Sequence, residues 1–170
     1  MIHLVLGGAR SGKSAYAEAL LGEAGQVAYL ATGRAAPGDD DMAARIERHR
    51  RRRDDRWETV EVDTGLAGAL EALAPDRPVL VDALGTWVAS HPDLDPDVGP
   101  VVAALAARRA LTVVVSDEVG LGVHPETAIG RRFRDVLGDV NQAVAAAADA
   151  VTLVVAGQPL VIVAPPVGSP

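Results

Sequence analysis

Eight residues near the start of the chain, Gly7-Gly8-Ala9-Arg10-Ser11-Gly12-Lys13-Ser14, carry the spacing G-x-x-x-x-G-K-[ST]. Each residue type in that pattern has a task. The glycines let backbone N–H groups turn inward around an anion, and a helix opening at Lys13 adds the positive end of its dipole. The Lys13 ammonium can reach the β- and γ-phosphates of a nucleoside triphosphate, and the Ser14 hydroxyl can ligate Mg²⁺. A plain glycine turn between a strand and a helix is the bland alternative. Lys13 is also the only lysine of the chain, every other cationic side chain being arginine. It stands where a compact ammonium, rather than a planar fork, fits beneath a phosphate chain.

Such a loop needs an acidic partner at the end of a neighbouring strand to hold Mg²⁺ through water. Asp82, after Val79-Leu80-Val81, is the first candidate, and Asp117-Glu118, after Val113-Val114-Val115, the second. Both positions suit an open α/β sheet, which places ligands at the carboxyl ends of its strands. Either could instead cap a helix or sit in a turn.

A third feature is the basic run Arg45-Ile46-Glu47-Arg48-His49-Arg50-Arg51-Arg52-Arg53 in a chain of net charge -7. Three readings compete. A charge run is usually a solvated face. Nucleic-acid binding fits poorly, because no aromatic platform accompanies the run and the whole chain is acidic. In the third, the arginines neutralise phosphate oxygens and a neutral His49 nitrogen attacks an α-phosphorus, expelling pyrophosphate.

The elements that must position these groups follow from the pattern. Ile2–Leu6 reads as a buried strand leading into the glycines, and 13–22 as the helix behind them. Further strands are expected at 27–31, 79–81 and 111–115, with a short extended piece at 59–62. Helices are expected at 41–53, 66–73, 101–109 and 128–148, the last interrupted near Gly138. Residues 90–100 hold three prolines and a glycine and read as a loop. Strands at 151–155 and 160–163, split by Gly157-Gln158-Pro159, suggest a hairpin at the sheet edge. Apolar strands alternating with helices predict a doubly wound, mostly parallel α/β sheet. We expect one domain over residues 1–164 and a frayed tail at 165–170.

The bulk composition agrees. Apolar residues make up 49% and aromatics 3%, so the core must be built from Val, Leu, Ile and Ala. There is no cysteine, hence no disulfide and no thiolate nucleophile. No apolar run approaches the ~20 residues of a membrane helix, and no signal peptide is evident. These features predict a cytoplasmic protein without nucleic-acid partners.

Together, the blocks GGARSGKS (7–14), YLATG (29–33), DDDMAARIERHRRRR (39–53), WETVE (57–61), VLVDALGTW (79–87), VVVSDEVGLGVHPE (113–126) and 131–160 resemble the bifunctional adenosylcobinamide kinase / adenosylcobinamide-phosphate guanylyltransferase family of cobalamin biosynthesis. The resemblance spans nearly the whole chain. It implies a RecA-like P-loop NTPase fold, a homotrimer, a corrinoid substrate, and ATP, GTP and Mg²⁺ as the nucleotide and metal requirements. It implies phosphorylation of adenosylcobinamide, then transfer of GMP from GTP through a histidine, which falls on His49. Nucleotide contacts would fall on Gly7 to Ser14, on Thr32, Gly33 and Arg34, on Arg50, Arg51, Arg52 and Arg53, and on Glu61 and Asp82. Ser14 and Asp82 would hold the metal. The chain departs from the family in two places. The family commonly reads S-N-E-V-G-M-G where Ser116-Asp117-Glu118-Val119-Gly120-Leu121-Gly122 stand here, and the segment 87–97 is short and Pro-rich. Two other readings use the same residues: a small-molecule kinase without guanylyl transfer, and a GTP-dependent regulatory module. An Asn-Lys-x-Asp guanine motif is impossible here, since the only lysine is Lys13.

Overall fold

A computed structural model describes residues 1–33 and 54–164. The expected helix at 41–53 and the tail at 165–170 lie outside the described residues. Seven strands form one sheet: β1 (Ile2–Gly7), β2 (Val27–Ala31), β3 (Trp57–Glu61), β4 (Val79–Asp82), β5 (Thr112–Asp117), β6 (Ala150–Val155) and β7 (Gln158–Val163). Their order is β3-β2-β4-β5-β1-β6-β7. Every pairing is parallel except β6 with β7, which is the expected edge hairpin.

The central strands are apolar on both faces, as strands covered on both sides must be. Alternate residues divide between two cores. Ile2, Leu4, Val79 and Val81 join one cluster; Val5, Leu80, Val113 and Val115 join the other. The first cluster is closed by α2 (Leu66–Ala72), α3 (Leu84–Ala89), α4 (Gly99–Ala106) and α5 (Ala128–Ala147), which contribute Leu70, Trp87, Leu105 and Leu137. The second receives Ala17 and Leu21 from α1 (Lys13–Leu20) and the residue after it. Helices on both faces of a mostly parallel sheet make this the doubly wound α/β architecture expected.

One element was not anticipated and two local expectations are corrected. Residues 84–89 form a helix, α3, which the run of Ala, Gly, Thr and Trp did not announce. Trp87, buried at its centre, donates Nε1–H to Thr64 O at 3.0 Å. The Pro-rich segment contains a 3-10 turn at Pro92–Leu94 and the start of α4, where Pro100 sits in the first turn and needs no N–H partner. The long helix α5 runs unbroken through Gly138, so that glycine interrupts nothing. Its start is capped by Thr127, whose hydroxyl accepts from Gly130 N at 3.1 Å.

Candidate active site

The strand order reverses at β1, which has β5 on one side and β6 on the other. Ligands of open α/β sheets bind beyond the carboxyl ends of the strands at such a point, and Gly7–Ser14 begins there. Gly7 ends β1 with no room for a side chain: a Cβ would stand 2.4 Å from Ser11 Oγ and 2.8 Å from Val154 O. The loop then turns through Ser11 N–H to Gly8 O (3.2 Å), with Arg10 at φ 58° and Gly12 at φ 95°. Gly12 precedes α1 and carries no side-chain cap, while the Lys13 N–H donates to Ser11 Oγ at 3.3 Å; the first N–H groups of a helix are the donors an anion can use.

The far wall of the loop comes from the other end of the chain. The turn of the β6–β7 hairpin lies against it, Gly157 N–H donating to Ser11 O at 2.7 Å. A Cβ on Gly12 would come within 3.2 Å of Gly157 Cα. Sequence reasoning read Gly157 only as a hairpin residue, since no local pattern reports which loop a turn will touch.

Lys13 and Ser14 are both buried. The Lys13 ammonium donates to Gly8 O at 3.2 Å and lies 2.7 Å from Asp117 Oδ1. Asp117 ends β5 in register with Gly7, and Glu118 N–H bonds Gly7 O at 3.1 Å. From α5, Asn141 Nδ2 donates to Asp117 O at 3.1 Å. Of the two acidic candidates named from sequence, Asp117 is therefore the one that touches Lys13. Asp82 ends β4, one strand further from β1, and its Oδ2 accepts from Tyr29 O–H at 2.5 Å.

The remaining expected residues divide three ways. Thr32 is buried, and its hydroxyl is used within the protein: it bonds Ala83 O (2.6 Å), Ala83 N (2.9 Å) and Thr86 Oγ1 (2.7 Å). It thereby fastens the end of β2 to the turn after Asp82. Gly33 follows at the same sheet end. Glu61 ends the edge strand β3, in register with Ala31. Four strand spacings separate β3 from β1, roughly 19 Å at the usual spacing, so this chain does not bring Glu61 to its own phosphate loop. His49, Arg34, Arg50, Arg51, Arg52 and Arg53 lie outside the described residues.

The donor set suits a hard cation. The Ser14 hydroxyl and the Asp82 and Asp117 carboxylates are all oxygen ligands, the kind Mg²⁺ takes. Among the described residues no group of three or more His, Cys, Asp or Glu gathers. A cation here would lean on one or two protein oxygens, phosphate and water, which is how Mg²⁺ binds beside nucleotides. Behind the loop, His3 is buried beneath Tyr16, and its Nε2 shares a 2.9 Å hydrogen bond with Thr152 Oγ1. Burial pushes its pKa below the ordinary imidazole value. The imidazole is a packed core group, remote from solvent.

Comparison with known proteins gives a consistent picture. Residues 3–162 match the family model described as cobinamide kinase / cobinamide phosphate guanyltransferase. The chain is 42% identical to the bifunctional adenosylcobalamin biosynthesis protein CobU of Escherichia coli, over 92% of this chain and 97% of that one. It is 40% identical to the bifunctional adenosylcobalamin biosynthesis protein CobP of Pseudomonas aeruginosa, covering 94% and 96%. Among solved structures it resembles the flagellar accessory protein FlaH of Methanocaldococcus jannaschii, with a TM-score of 0.55, 14% identity, and coverage of 96% and 78%. That last likeness concerns the fold alone. No described helix is long and apolar enough to cross a membrane.

Proposed function

The chain belongs to the cobinamide kinase / cobinamide phosphate guanyltransferase family, and we propose that it phosphorylates adenosylcobinamide with ATP or GTP and then transfers GMP from GTP to the product. The observation that carries this reading is the buried Lys13 in a glycine-shaped loop at the sheet's switch point.

In the kinase step the aminopropanol hydroxyl of adenosylcobinamide attacks the γ-phosphorus, and the nucleoside diphosphate leaves. The loop N–H groups and Lys13 hold the β- and γ-phosphate oxygens as negative charge shifts toward the leaving group. Ser14 and an acidic strand end, Asp82 or Asp117, would hold Mg²⁺, which adds charge neutralisation at the same oxygens.

In the guanylyl step a neutral His49 nitrogen attacks the α-phosphorus of GTP. A P–N bond forms, the α–β bridging P–O bond breaks, and pyrophosphate leaves. Arg50 to Arg53 offset charge on the phosphoryl oxygens. The corrinoid phosphate then attacks the same phosphorus, regenerates the imidazole and yields adenosyl-GDP-cobinamide. A homotrimer, as the family resemblance implies, would let one subunit's basic segment and Glu61 approach a neighbour's phosphate loop.

The test is incubation with GTP labelled at the α-phosphate. The expected result is acid-labile, base-stable label on the protein, abolished by His49→Asn while GTP binding stays within about threefold, since a nucleophile adds little to ground-state affinity. Label that survives His49→Asn would sink the histidine–GMP step. Corrinoid phosphorylation persisting in a label-free variant would leave the kinase step standing alone.

A further inference from the structure

In this structure Lys13 is held by the protein itself. Its ammonium donates to Gly8 O and pairs with Asp117 Oδ1 at 2.7 Å, and the two side chains are only 5% and 25% exposed. A triphosphate seated in the loop competes with Asp117 for that ammonium. Once Lys13 turns to phosphate oxygens, the carboxylate it leaves stands beside an anion of higher charge, in surroundings that screen poorly.

Asp117 has little freedom to withdraw. Its backbone is pinned by its register with Gly7, by the Glu118 N–H bond to Gly7 O, and by Asn141 on its carbonyl. Its Oδ2 rests against Gly85, where a Cβ would lie 2.5 Å away, so α3 closes the other side. A counter-charge brought in with the ligand relieves the repulsion without moving Asp117.

We infer that Asp117 is a latch on Lys13 that makes triphosphate binding conditional on a divalent cation. With the cation present, the carboxylate exchanges the ammonium for the metal, directly or through its water, and Lys13 is released to the phosphates. Without it, the triphosphate must break the ion pair and then bear the unpaired carboxylate. Asp117 thus acts as a positioning residue for Lys13. The inference rests on reading the loop as a nucleoside triphosphate site.

The experiment measures the dissociation constant of GTP by calorimetry, with Mg²⁺ and with EDTA, for the wild-type chain, Asp117→Asn and Asp117→Ala. Thermal midpoints of all three check folding, and either folded variant is sufficient. Wild type should lose at least ~tenfold affinity in EDTA, and the variants less than about threefold, because removing the carboxylate removes both the competitor and the repulsion. In EDTA the variants should bind GTP more tightly than wild type. A variant that keeps the full Mg²⁺ dependence, or that weakens binding equally in both conditions, overturns the latch while leaving the nucleotide site intact. A wild-type chain that binds no GTP in either condition overturns the nucleotide reading and the latch with it.

Discussion

Arg108 shows what a single side chain holds together away from the phosphate loop. It is buried, yet among the described residues no carboxylate forms an ion pair with it. Instead its guanidinium donates to Thr112 Oγ1 and to the carbonyls of Leu70, Ala74 and Arg77. Those carbonyls belong to the end of α2 and the loop leading to β4, where a cation also meets the negative end of a helix dipole. Burial lowers its pKa, Arg77 adds to that effect and Asp76 opposes it. Arg108→Lys keeps the charge but loses the planar fork, leaving three donors for four acceptors and stranding at least one of them. We expect it to destabilise the fold by about 3 kcal/mol and to lower Tm by roughly 10 °C for a chain of this size. An unchanged melting temperature would show that water replaces the lost bonds. At this scale the glycine-rich loop and its lysine were legible in the sequence, because their pattern is written in consecutive positions. The partner of Lys13 was not. Both β4 and β5 end in an aspartate, and only the pairing of β5 with β1 decides that Asp117 rather than Asp82 reaches the ammonium.

Elements were legible where periodicity and punctuation agreed, as in β1, β4, β5, β6 and α5. They were not where a short helix is stabilised by what it packs against: α3 exists because Trp87 and Val88 are buried in the core, which no six-residue window reveals. The β6–β7 hairpin was foreseen as an element but not as the brace of the phosphate loop. Two glycines separate these roles. Gly12 combines φ 95° with a neighbour 3.2 Å from any Cβ, whereas Gly157 has φ 77° and open space around it. Gly157→Ala should therefore lose only the ~1–2 kcal/mol of a left-handed backbone and leave GTP affinity within about threefold. Gly12→Ala has the same backbone term and must also push the hairpin turn off Ser11, weakening GTP binding by at least ~tenfold as the anion nest opens. Equal affinities for the two variants would show that the hairpin does not shape the loop.

Across the whole molecule, β7 stands out as an edge strand exposed along its full length. Leu160, Val161, Ile162 and Val163 are each 45–60% exposed, an apolar strip that a free edge would ordinarily blunt with charge. If the chain assembles as a trimer, this strip is a surface it can cover. Sedimentation should then give three times the 17.5 kDa of one chain. The double variant Leu160→Lys, Ile162→Lys should sediment at lower mass with an unchanged fold, because buried like charges cost several kcal/mol each. A trimer that survives the substitution places its interface elsewhere. The sheet order carries one more consequence, for the growing polypeptide. Translation delivers Gly7–Ser14 before the later strands that support them, since β1 pairs with Thr112–Asp117 and Ala150–Val155, Lys13 pairs with Asp117, and Ser11 is braced by Gly157. The loop written early is thus completed late: a nascent chain does not hold it in its folded setting until the residues through Gly157 have left the ribosome.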